Sequence, residues 1–172
     1  MLRSLKHFNG ETMFSFFVGI VYANVGEWFI HKYVLHGLGK KKDSIWSFHW
    51  SEHHRAARKN YMIDSAYGPQ DQFEGVSTYT GLTPREKETF GLGTLAIIHL
   101  PLAIFCPWFV AGVWTSICAY YYVHSKSHQD HEWAHKWLPW HEDHHMGRDQ
   151  DKNWCVTMPW TDWVMRTREK SK

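Results

Sequence analysis

The stretch Thr89–Val123, TFGLGTLAIIHLPLAIFCPWFVAGVWTSICAYYYV, contains no Asp, Glu, Lys or Arg. As a single helix it would reach ~50 Å, well beyond a hydrocarbon core of ~30 Å. Pro101 and Pro107 interrupt it, and Cys106-Pro107 favours a turn. The stretch therefore reads as a helical hairpin, roughly 84–106 and 108–128. Its start is marked by Thr83 as N-cap, Pro84 at the first helical position and Glu86 three residues after the cap. A hairpin buried in a soluble core is the competing reading, but charge-free runs of this length are rare in soluble domains of this size.

Working outward, a second apolar run, Thr12–Ile30 (TMFSFFVGIVYANVGEWFI), is broken only by Glu27. With its flanks it predicts a helix over about 10–36, long enough to span with some tilt. No small-residue cleavage site follows it, so it does not read as a secretory signal. The segments 37–83 and 129–172 are polar and rich in tryptophan. The expected fold is all-α: a single domain over 1–172, with an integral-membrane anchor of about three to four spans and a histidine-rich, metal-binding cap made of 37–83 and 129–172. Only Arg3 and Lys6 fall opposite the cap, and the other basic residues fall on its side, as a cytoplasmic face requires.

Composition narrows the function. The 172 residues carry 19 basic and 17 acidic groups, a net charge of +2 that argues against a nucleic-acid partner. Three cysteines without a C-x-x-C pair exclude a disulfide framework and a cysteine zinc site. Histidine is the outlier, at 14 residues. Ten of these form four clusters: His31/His36, His49/His53/His54, His124/His128 and His141/His144/His145. On an α-helix, residues four apart share a face, so His49/His53, His124/His128 and His141/His145 each read as binding one ion. The extra histidine of each H-H doublet turns about 100° away, toward a second ion. His31 and His36, five apart, need an irregular helix end to converge. Paired clusters thus favour two neighbouring metals over one. His7 and His99 stand outside the clusters, and His131 and His135 only prolong the third.

The order H-x4-H, H-x3-H-H, H-x3-H, H-x2-H-H resembles the fatty acid hydroxylase/sterol desaturase superfamily of membrane di-iron enzymes. So does the tail, where HEDHH is followed by Asn153-Trp154-Cys155-Val156-Thr157 and then Trp160 and Asp162. The likeness covers roughly 27–54 and 120–165. It departs at Cys155, where glycine is frequent, and at Met165-Arg166-Thr167, where many relatives have Gly-Thr. The resemblance implies two iron ions (zinc being possible in a purified sample) held by the ten clustered histidines, with O2 as co-substrate. It also implies that Asp162 orients a ligand imidazole, with Asn153 and Glu27 as further outer partners. The implied activity is hydroxylation of an unactivated C–H bond of a lipid, foremost a fatty acyl chain, with electrons from a separate ferredoxin- or cytochrome-type donor. Glu27-Trp28 with His31–Gly37 is equally similar to the first box of carotene hydroxylases, and desaturation is a further alternative. A membrane metal transporter or a metal-stapled structural protein is the reading from another class. A transporter needs polar ligands at mid-membrane, where the chain offers only His99.

Overall fold

The computed structural model describes residues 10–68 and 81–170, and every regular element among them is helical. Helix α1 (Gly10–Phe29) continues without a break into a π-helical segment, Ile30–Leu38. A second π-helical segment, His49–His54, leads into the short α2 (Arg55–Lys59) and a 3₁₀ turn at Ser65–Tyr67. Then come α3 (Pro84–His99), a 3₁₀ turn at Leu100–Ile104, α4 (Pro107–Ser127), α5 (His131–Trp137), α6 (Pro139–Met146) and α7 (Trp160–Val164). His7, Arg3 and Lys6 lie outside the described residues, as does part of the expected cap, 69–80.

The hairpin starts with the predicted capping box. Glu86 N–H donates to Thr83 Oγ1 at 3.2 Å, and Thr83 N–H donates to Glu86 Oε2 at 2.7 Å. Its first helix is shorter than 84–106, however. Pro101 has no N–H to continue the ladder, and the chain tightens into the 3₁₀ turn before bending at Cys106-Pro107. By length and composition one helix among the described residues, Gly10–Leu38, is apolar enough to cross a membrane. α3 falls short in length, at 16 residues, and α4 because hydroxyl and imidazole groups dilute it. Only 17% of the most apolar window of Gly10–Leu38 is buried, so it is not the enclosed helix of a soluble core. Phe14, Phe17, Ile97, Ile104 and Phe105 add to this outward apolar surface, each more than half exposed.

α1 and α4 form the main helix pair, and two glycines let them touch. A Cβ on Gly19 would lie 2.2 Å from the Phe109 carbonyl oxygen, and one on Gly112 would lie 2.2 Å from that of Phe16. A Cβ points toward its helix's N-terminus, so this reciprocal offset is that of a parallel pair. The C-terminal ends of both helices therefore arrive together, carrying His31 and His36 on one and His124 and His128 on the other.

The C-terminal segment closes over α1. Asn24 donates to the Met158 carbonyl at 2.8 Å and accepts from Thr161 Oγ1 at 2.8 Å. Glu27 accepts from Thr157 N–H at 2.9 Å and Thr157 Oγ1 at 2.6 Å, and also from Val156 N–H. Trp28, Trp154 and Cys155 pack together beside these bonds. The polar middle of α1 is thereby satisfied by protein groups.

Candidate metal centre

All ten clustered histidines are buried, none more than 2% exposed. Nine fall into two groups whose candidate ligand nitrogens lie within 4.8 Å of one another: His31, His36, His49, His54 and His144, and then His53, His124, His128 and His145. His141 stands at the edge of the second group, its Nε2 3.1 Å from His128 Nε2. The doublets His53-His54 and His144-His145 each divide between the groups.

The π-helical turns explain which residues pair. With i→i+5 hydrogen bonding, residues five apart come onto one face. His31 and His36 thus bring their ring centroids to 5.2 Å, and His49 and His54 bring their Nε2 atoms to 3.2 Å. The expected pairing of His49 with His53 on one ion is not what the structure has: His49 joins His54, and His53 joins the other group. α-Helical spacing was the wrong ruler there. It holds at His124/His128, which sit at the end of a true α-helix and share a group.

The outward ring nitrogens fix which lone pairs face inward on six of the rings. His31 Nδ1 meets the Trp154 carbonyl at 2.5 Å, His128 Nδ1 the Met62 carbonyl at 2.7 Å and His144 Nδ1 the Lys152 carbonyl at 2.6 Å. His53 Nδ1 meets Asp64 Oδ2 at 2.8 Å, His36 Nδ1 meets Asp151 Oδ1 at 3.1 Å and His124 Nδ1 meets Glu88 at 2.8 Å. Each partner only accepts, so each of these imidazoles carries its proton on Nδ1 and turns the Nε2 lone pair inward. His144 Nε2 approaches His54 Nε2 to 3.2 Å, and His36 Nε2 approaches it to 3.1 Å. The Nε2 atoms of His53, His124 and His145 are buried and have no hydrogen-bond partner. Lone pairs converging in a dry interior are costly unless a cation sits among them. The residues therefore fit two metal ions, one per group.

Protonation agrees with this. Burial, reinforced by neighbouring imidazoles, pushes His49, His54, His141 and His145 well below the usual histidine range. His144 is pushed down to about 4, burial again being the main cause, with its bond to the Lys152 carbonyl pulling the other way. These rings are neutral at pH 7, the form that binds metal.

The outer partners differ from those expected. Asp162 accepts from the backbone N–H groups of Trp154 (2.9 Å) and Cys155 (2.8 Å) and from Thr167 Oγ1 (2.6 Å), and orients no imidazole directly. It shapes the turn whose Trp154 carbonyl meets His31. Asn153, at φ +58°, accepts from Glu169 N–H and donates to the Glu169 carbonyl, tying the same segment to the chain end. Glu27 holds the segment to α1. Sequence reasoning missed Asp64, Glu88 and Asp151; a carboxylate four residues into α3, or eleven after His53, carries no local signature. Met62 was equally hidden: Tyr61 and Met62 both take positive φ, 51° and 74°, which aims the Met62 carbonyl at His128. His131 and His135 flank Glu142 at 2.8 and 2.7 Å on the cap surface, and His99 bonds Leu95 and Tyr22. None of these three joins either group.

Comparison with protein-family models, with curated proteins and with solved structures finds no match for this chain.

Proposed function

We propose that this protein is a membrane-embedded di-iron oxygenase that hydroxylates an unactivated C–H bond of a lipid chain, a member of the superfamily its histidine order resembles. The observation that carries the reading is the pair of buried histidine groups, in which His31, His36, His53, His124, His128 and His144 commit their Nδ1 protons to outer acceptors and turn their Nε2 lone pairs inward. His31, His36, His49, His54 and His144 would hold one ion, and His53, His124, His128 and His145, with His141 beside them, the other. Two ferrous ions bound there would supply the reduction of O2 and the removal of hydrogen from carbon. The chain's own part is electrostatic and steric. Neutral imidazoles leave the ions electrophilic, while Asp64, Glu88 and Asp151, one atom layer further out, offset part of their charge. Trp50, Tyr67 and Trp154 pack on the histidine rings. The apolar outer faces of Gly10–Leu38 and the hairpin support a lipid setting, with the lysine-rich cap in the cytoplasm and a separate one-electron carrier as reductant.

Lipid mass spectrometry of cells expressing the wild type and His145→Ala tests this. A +16 Da lipid found only with the wild type is expected; a −2 Da species would move the reaction to desaturation. Equal lipid profiles, with two irons bound in the wild type, would overturn the proposal.

A further inference from the structure

Arg85 is held by neutral groups alone among the described residues. Its guanidinium donates to Tyr121 Oη from Nη2 at 2.9 Å and from Nε at 3.3 Å. Nη1 donates to the carbonyls of Tyr67 at 3.1 Å and Gly68 at 3.4 Å. It stands at the polar mouth of an open groove of about 760 Å³ that follows α3 past Thr89, Phe90 and Gly93 to Ile97, with Tyr121 opposite. That volume suits one small ligand. The positive end of α3 lies at the same mouth. Glu86 borders it too, but its carboxylate is engaged by Thr83 N–H.

We propose that this groove binds one fatty acid, its carboxylate on the Arg85 guanidinium and its chain along α3 toward Ile97. A guanidinium without a carboxylate partner, at the rim of an apolar trough, matches an anionic head followed by a single alkyl tail. From Arg85 to Ile97 the trough runs about 18 Å along the helix. It also opens the right way, with the head at the cap and the tail among the exposed apolar side chains Phe90 and Ile97. The groove adjoins the second histidine group: the Tyr67 carbonyl bonds Arg85, and the Tyr67 ring packs 5.1–5.3 Å from His53, His124 and His128. The inference rests on the reading of a lipid substrate and narrows it from any chain-bearing lipid to an acid.

Gly93 supplies the decisive variant, because nothing lies within 4 Å of a Cβ placed there. Gly93→Leu adds an apolar side chain to the trough wall, its Cβ in open space, and favours the helix. The full-length protein in phosphatidylcholine nanodiscs is irradiated with a diazirine-bearing palmitate, and the adducts are mapped by mass spectrometry. Adducts on α3 are expected, displaced by oleate at concentrations at least tenfold below those of oleyl alcohol or phosphatidylglycerol. Gly93→Leu should abolish them with metal content unchanged, and Arg85→Gln should weaken oleate competition about tenfold or more, as loss of one charge-assisted bond predicts. Equal competition by oleyl alcohol or phosphatidylglycerol, or adducts indifferent to Gly93→Leu, would overturn the assignment. Labelling as expected without any oxidised lipid in cells would instead remove the oxygenase reading and leave the groove. Oxidised lipid without groove labelling would do the reverse.

Discussion

Asp64→Asn separates the two histidine groups by changing a single atom. Asp64 is 3% exposed; its Oδ2 accepts from His53 Nδ1 at 2.8 Å and its Oδ1 accepts from Ala66 N–H at 2.9 Å. In asparagine one of those oxygens becomes an NH2, so whichever way the amide turns, one N–H faces another. When it faces His53, the imidazole proton must move to Nε2, the atom that otherwise joins His124, His128 and His145. Loss of such an outer partner costs about 10–100-fold in metal affinity, or ~1.4–2.7 kcal/mol. The cost falls on the second group, because Asp64 bonds His53 and the His128 carbonyl, both of that group, and the Ala66–Tyr67 turn. On the proposed two-metal reading, metal content measured after dialysis against graded chelator should fall from two ions per chain to one at chelator levels the wild type withstands, and His128→Ala should do the same. Retention of both ions at unchanged chelator resistance would refute the tautomer argument, and loss of both together would refute the independence of the groups.

Three further outcomes are expected. Gly112→Leu drives a side chain into the Phe16 backbone, so the thermal midpoint in detergent should fall by the equivalent of ~1–3 kcal/mol or more; Gly26→Leu, with open space at its Cβ, should leave it unchanged. In metal-free protein His144 gains its proton near 6.5 when unfolded but only near 4 when folded. Between those values the unfolded chain holds more protons, so stability is fully present above pH 6.5 and declines as pH falls toward 4, by about 3 kcal/mol from this group. Denaturation midpoints that stay level from pH 8 to pH 4.5 would contradict that sign. The double variant His131→Ala, His135→Ala should keep both metal ions, since these rings serve Glu142 on the surface; a lost ion in elemental analysis would place them in the centre.

Patterns that depend on nearest neighbours along the chain were legible. The Thr83–Glu86 capping box, the bend at Cys106-Pro107 and the division of each H-H doublet all follow from spacing on a helix. The π-helical stretches were not, because no local composition separates HKYVLH or HWSEHH from α-helix; tertiary convergence on a common centre selects i→i+5. The backbone acceptors at Met62, Lys152 and Trp154 were invisible for another reason. A carbonyl has no residue type, and its direction depends on turns such as Tyr61–Met62 whose positive φ no glycine announces. Asp162 shows the intermediate case: the residue was found, but it works on the backbone of a turn and not on an imidazole.

The parallel contact between α1 and α4 carries one more implication. His31 follows Gly19, and His124 follows Gly112, by the same number of residues, about 18 Å of helix in each case. The glycine crossing thus acts as a shared datum from which two independent rulers are measured, one ending in each cluster. A helix lengthened or shortened by one residue above that datum would raise one set of imidazoles relative to the other by about 1.5 Å and swing it by about 100°. The spacing between the two histidine groups is in this sense set far from them, by two residues that own no side chain.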